Sequence, residues 1–266
     1  MEWVIVVALV LGVPLSLWIY TRAFRRVYFV QDERILVTQY SRLDAAIAFV
    51  VALYLLSPLL LASSSGKTAD PIRMDAQVML VGYFLYYGTL LLLIVASLVL
   101  RHINLGEVFR FDKTLGLHAV RRGFVFLMYA APLVFVAGFF VNWWLDAKQD
   151  QQDVITLFEQ SKSAAQRIPL FLAAVIAAPV AEELVFRGYL YSVVKRFLGG
   201  IPALVLTGIV FAVIHANIPS LLPLFLFACC LTLAYETTGS LWVSMTMHAA
   251  FNAVNLVISL SQFQSV

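Results

Sequence analysis

The sequence predicts an all-α, polytopic transmembrane bundle of about eight spans, and three observations carry that expectation. Apolar residues fill 62% of the 266 positions, whereas soluble domains hold about half. Charged residues fill only 12%, roughly half the share found in soluble domains. Several apolar runs also reach the roughly 20 residues a helix needs to cross a bilayer. The short alternating segments that build transmembrane strands are not seen.

The spans are expected at about 3–20, 44–62, 77–100, 124–143, 169–197, 201–217, 220–236 and 241–260. The first, Trp3–Tyr20, has Glu2 before it and Arg22, Arg25 and Arg26 after it. That is the reverse of a secretory signal, so it reads as a retained helix. The third carries Tyr83, Tyr86 and Tyr87, which read as packing or interface aromatics. Pro179 is expected to start or kink a helical turn in the fifth. The last three are joined by very short links and should run antiparallel. Between the fourth and fifth, Trp144–Arg167 with its "DAKQDQQD" reads as a polar loop.

No internal repeat or low-complexity tract divides the chain. It reads as one integral membrane domain over 1–266, with a four-helix N-terminal part (1–168) and a chemistry-bearing core (169–260). The net charge of +3 is small and no basic run is present, so nucleic acid is not an expected partner. Cys229 and Cys230 are adjacent in an apolar run and read as small buried residues. Lys and Arg settle the expected topology. Arg22, Arg25, Arg26, Arg34, Arg42, Arg101, Arg110, Lys113, Arg121, Arg122, Lys195 and Arg196 fall on one face. Lys67, Arg73, Lys148, Lys162 and Arg167 fall on the other. The first face should be cytoplasmic, with both termini outside.

With the loops set aside, the ionisable groups expected at membrane depth are Glu182, Glu183, Arg187, His215 and His248, with Asn252 as a polar companion. Charges there cost several kcal/mol and mark functional sites. Glu183 and Arg187 stand at i and i+4, as an ion pair on one helix face. Glu182 points about 100° away and is free to face other helices. Phe211 and His215 form a second i, i+4 pair, and His248 and Asn252 a third. At 1.5 Å per residue, Glu182 lies about 20 Å from Lys195 and His215 about 22 Å from Gly200. His248 and Asn252 lie about 12 and 18 Å from Ser240. The groups can therefore meet at one depth. A carboxylate beside a neutral imidazole can hold a water and take its proton. His248 and Asn252 could then donate to the oxyanion formed at a peptide carbonyl. No nucleophile elbow and no H-E-x-x-H motif competes with this reading.

"EELVFR", "FAVIH" and "HAAFN", in this order, resemble the CAAX prenyl protease 2 and bacteriocin-processing family of intramembrane glutamate proteases. Its pattern, EExxxR, FxxxH and HxxxN/B, is met at Glu182, Glu183 and Arg187, at Phe211 and His215, and at His248 and Asn252. "YETTGSLW" is similar to family text as well, and the resemblance covers about 170–260. It implies a Glu–His activated water and cleavage of a peptide bond in or beside the membrane. Glu182 would be the base, with His215 sharing the water. His248 and Asn252 would form the oxyanion site, while Glu183 and Arg187 hold the helix in place.

No cofactor is expected, although the family has also been described as metalloproteases and one Glu with two His could ligate a metal. The expected partners are the lipid bilayer and a membrane-associated protein or peptide substrate, CAAX-like or a C-terminal anchor. The expected location is a bacterial cytoplasmic membrane. Eukaryotic prenyl proteases of the family cut on the cytosolic side, whereas the depths above put the site at mid-membrane or nearer the outer face. A protease trimming anchor segments of exported proteins would suit that placement. The alternatives are a non-catalytic scaffold or bacteriocin-immunity protein, and a transporter or proton relay, although the broken-helix repeats of transporters are not seen.

Overall fold

The computed structural model of the chain describes residues 2–30, 35, 37–64, 76–110, 116–145, 161 and 164–263. Every regular element among them is helical. In chain order these are α1 (Glu2–Phe29), α2 (Arg42–Ser64), α3 (Ala76–Val99), α4 (Leu105–Phe109) and α5 (Leu117–Leu145). There follow α6 (164–198), α7 (Gly200–Val213), a 3-10 turn at Ile218–Ser220, α8 (Leu221–Thr238) and α9 (Leu241–Phe263). Among the described residues, six helices are long and apolar enough to cross a membrane: α2, α3, α5, α6, α8 and α9. The all-α, multi-span expectation holds. The expected polar loop at Trp144–Arg167 lies mostly outside the described residues. Within them, Trp144 closes α5 and Arg167 already belongs to α6.

One expectation is corrected. The sixth span was expected to run to 217, but α7 stops at Val213 and is 14 residues long. At 1.5 Å per residue that is about 21 Å, against roughly 30 Å of hydrocarbon. His215 therefore sits in the turn after α7, and the chain reverses at Ala216, whose φ is 52°. Lys195, expected on the cytoplasmic face near the end of the fifth span, has a partner that the spacing did not reveal. It is buried, only 5% exposed, and its Nζ donates to Glu236 Oε1 at 2.6 Å and to the Ile35 carbonyl at 3.4 Å. Glu236 is fully buried and also accepts from the Tyr191 hydroxyl at 2.7 Å. An ion pair of this kind is tolerated at depth because each charge has a partner and further hydrogen bonds.

The bundle packs around α6. One apolar cluster joins α6 (Val185, Phe186, Tyr189) to α2 (Val51, Leu55), α3 (Leu90, Ile94) and α7 (Phe211). A second joins α1 (Tyr20), α5 (Ala130), α8 (Phe227, Leu231) and α9 (Met247). Small residues let these helices approach closely, as in membrane bundles generally. A Cβ at Gly123 on α5 would lie 2.7 Å from Thr246 Cβ and 2.9 Å from the Val243 carbonyl oxygen on α9. A backbone carbonyl cannot swing aside as a side-chain end can. Gly123→Ala should therefore force α5 and α9 apart and destabilise the chain by about 1–3 kcal/mol, read as a lower thermal midpoint in detergent.

Polar ties fix the N-terminal half against α6. Asp44 receives the Ser41 amide at 2.7 Å in the manner of a capping box, and it pairs with Arg101 beyond the end of α3. The Asp44 contact raises the Arg101 pKa above its usual value. Tyr40, between α1 and α2, donates to the Gly188 carbonyl at 3.2 Å. Burial pushes the Tyr40 phenol up to about 12, so it remains a donor at any working pH.

Candidate active site

The glutamate pair sits on a helix that changes its winding twice. In α6 an α-helical turn, Ala178–Glu183, lies between two π-helical segments, Ala173–Ala177 and Leu184–Tyr191. π-Helical turns are rare and cluster at functional sites. Pro179 lies in the first turn after the first widening. The Ala178 amide reaches back five residues to the Ala173 carbonyl. In the same register Ala174 would look to residue 179, but a proline has no N–H to give. Asn252 Nδ2 on α9 fills that place, donating to the Ala174 carbonyl at 2.8 Å. In the second widening Ser192 Oγ donates to the Arg187 carbonyl at 3.1 Å and Tyr40 to that of Gly188. Irregular backbone at this depth persists because side chains satisfy the carbonyls it frees. Asn252→Ala should orphan the Ala174 carbonyl and lower stability by about 1–3 kcal/mol, read as an earlier midpoint in the same thermal scan.

The two glutamates face different partners. Glu183 is fully buried and accepts from Arg187 Nη1 at 2.8 Å. Arg187, 2% exposed, also donates to the Ala228 carbonyl at 3.0 Å, and its guanidinium lies 4.9 Å from the centre of the Phe211 ring. The expected i, i+4 pair is present. Glu183 has a second partner that the spacing did not reveal, for His248 Nδ1 lies 3.1 Å from the same Oε1. A carboxylate can only accept, so that ring nitrogen carries the proton and Nε2 is left to act. Glu182, 7% exposed, lies on the other side of His248, with Nε2 3.7 Å from its Oε2. That separation is longer than a direct hydrogen bond. His248 is thus held from behind by Glu183 and faces Glu182 in front.

His215 is half-buried, and its Nδ1 lies 2.7 Å from the Phe211 carbonyl. A carbonyl also only accepts, so His215 likewise keeps its proton on Nδ1 and leaves Nε2 bare. It makes no hydrogen bond to Glu182. Its link to the cluster is the Phe211 ring, 4.9 Å from the His215 ring and 5.7 Å from that of His248. Phe211 is therefore the hub of the site, touching Arg187 and both histidines and lying edge-on to Phe186 at 5.2 Å. Asn252 stands one turn beyond His248 on α9, with one N–H committed to α6.

One residue of the site was read differently from the sequence. Tyr87 on α3, taken there as packing, donates to Glu182 Oε1 at 3.3 Å. Tyr83 faces the same carboxylate without closing a hydrogen bond. Tyrosines at i and i+4 on an apolar helix look like any interface stripe, so nothing in the α3 sequence marks this one. As to a metal, no group of three or more His, Cys, Asp or Glu among the described residues is placed to hold one. No step below depends on a metal.

The comparisons with known proteins bear on the same stretch. Residues 164–254 match a family model described as Type II CAAX prenyl endopeptidase Rce1-like. The matched segment holds every site residue above except Tyr87 and Tyr83. No curated protein and no solved structure matches the chain.

Proposed function

We propose, from the similarity of residues 164–254 to the type II CAAX prenyl endopeptidase Rce1-like family model, that the chain is an intramembrane endopeptidase. Its substrate is a membrane-associated protein or peptide, and its nucleophile is a water activated by Glu182. The single observation that carries the reading is His248 set between two buried glutamates, one orienting it and one facing its free nitrogen.

The chemistry follows from that placement. Glu182 Oε2 takes a proton as the water oxygen attacks the peptide carbonyl carbon, and passes it to the leaving amine. His248 can act only through Nε2, because Nδ1 is tied to Glu183. When protonated it donates to the oxyanion, and the Glu183 carboxylate behind it stabilises the imidazolium. His215, its bare Nε2 fixed by the Phe211 carbonyl, shares the water with Glu182. Asn252 supports the oxyanion beside His248 with its second N–H. Glu183 is then more than a brace for the helix, since it sets the tautomer of the residue that meets the developing charge. The test is direct. Purified chain in proteoliposomes receives a farnesylated peptide ending in a CAAX box, and its unfarnesylated twin. Mass spectrometry should find a released C-terminal fragment whose partner carries one solvent oxygen. If neither peptide is cut, and membrane peptides of cells with and without the chain are the same, the reading fails in favour of a scaffold or immunity role.

A further inference from the structure

We propose that Tyr87 is a positioning residue for Glu182, holding Oε1 so that Oε2 alone is presented to His248 and the reacting water. This rests on the assignment of Glu182 as the base. A glutamate turns about three side-chain bonds, and Arg187, on the same helix, gives its hydrogen bond to Glu183 rather than to Glu182. The hydrogen bond described for its carboxylate comes from the Tyr87 hydroxyl, 3.3 Å from Oε1. Against a carboxylate the phenol is the donor.

Tyr87 is itself pinned. It is buried, its ring lies edge-on to Tyr86 at 5.3 Å, and it packs against Tyr83 at 4.7 Å. Tyr86 donates to the Leu55 carbonyl at 2.9 Å and stacks on Tyr54 at 4.9 Å. Rigid rings thus run from the α2 backbone to one oxygen of Glu182. A donor held this way fixes which oxygen is occupied before substrate arrives, which is how a supporting shell keeps a catalytic group within reach of its reactant.

Infrared difference spectra of the full chain in nanodiscs, wild type minus Glu182→Gln, isolate the Glu182 carboxylate band. Tyr87→Phe should shift that band, and Tyr86→Phe, which keeps the ring against Tyr87 and removes only the hydroxyl's tie to Leu55, should shift it far less. In proteoliposomes with the farnesylated reporter, Tyr87→Phe should lower kcat by about 10- to 100-fold with KM little changed. Should Tyr87→Phe not fold, 3-fluorotyrosine at position 87, a stronger donor, should move the band in the opposite sense. A band unmoved by either change, or moved equally by Tyr86→Phe, overturns the proposal. A band that moves in a chain that cuts no peptide upholds the Tyr87 contact and removes Glu182 from its role as base.

Discussion

Glu182→Gln should abolish peptide cleavage and leave the chain folded. Removing a general base lowers a rate by about 10²- to 10⁴-fold, and in the proposed mechanism the same group also delivers the proton to the leaving amine, so the upper end is expected. Glutamine keeps the shape of the side chain, and its carbonyl can still accept from Tyr87, so the surroundings need not rearrange. It also removes one of two adjacent buried carboxylates, and the thermal midpoint should hold or rise. Turnover of the farnesylated reporter and a melt in the same detergent separate the two effects. Cleavage that survives the substitution would remove Glu182 from the chemistry. Lost cleavage with a collapsed midpoint would make Glu182 a structural residue.

Arg187→Ala should have the largest effect on stability. It leaves Glu183 fully buried with its charge uncompensated, and breaking a buried pair from one side costs about 3–5 kcal/mol. It also removes one of two side-chain donors to the Ala228 carbonyl, which keeps Thr232 Oγ1 at 3.0 Å, and it takes the cation from the Phe211 ring. The double change Glu183→Gln with Arg187→Met should recover much of that loss, because no lone charge remains. It should not recover cleavage, because His248 then lacks the carboxylate that stabilises its protonated form. Denaturant titration in micelles gives the first quantity and reporter turnover the second. A loss below about 1 kcal/mol for Arg187→Ala would contradict the pairing, since exposed ion pairs contribute no more than that.

The sequence made the helices and the charged residues legible for the same physical reason. In a chain that avoids charge, a Glu, Arg or His well inside an apolar run is conspicuous, and helical spacing sorts such residues onto faces, whereas Glu236 at the end of an expected span was passed over. Glu183 and Arg187 were readable because both lie on one helix. What spacing cannot report is a meeting between helices. The Glu183–His248 bond spans α6 and α9, and the Tyr87–Glu182 bond spans α3 and α6. The pairing of Lys195 was hidden because a lysine near a helix end looks like a surface anchor, and its partner Glu236 is 41 positions away. The winding of α6 was equally hidden. Pro179 announced a disturbance, but the two widened segments and the side chains that serve them depend on tertiary partners. His215 was expected on a helix because "FAVIH" continues an apolar run past the point where α7 ends.

The hydrogen bonds that cross from the N-terminal half have a bearing on modularity. Tyr87 reaches Glu182, Tyr40 reaches the Gly188 carbonyl, and Tyr28 meets Tyr191 at 3.0 Å. All three land on α6, and all three donor helices or connections lie outside the segment that matches the family model. Grafting 164–254 onto an unrelated set of leading helices would carry every motif residue and still deprive α6 of these contacts. The smallest transplantable unit is therefore longer than the motifs suggest, and chimeras joined at α6 should melt earlier than chimeras joined ahead of Tyr28.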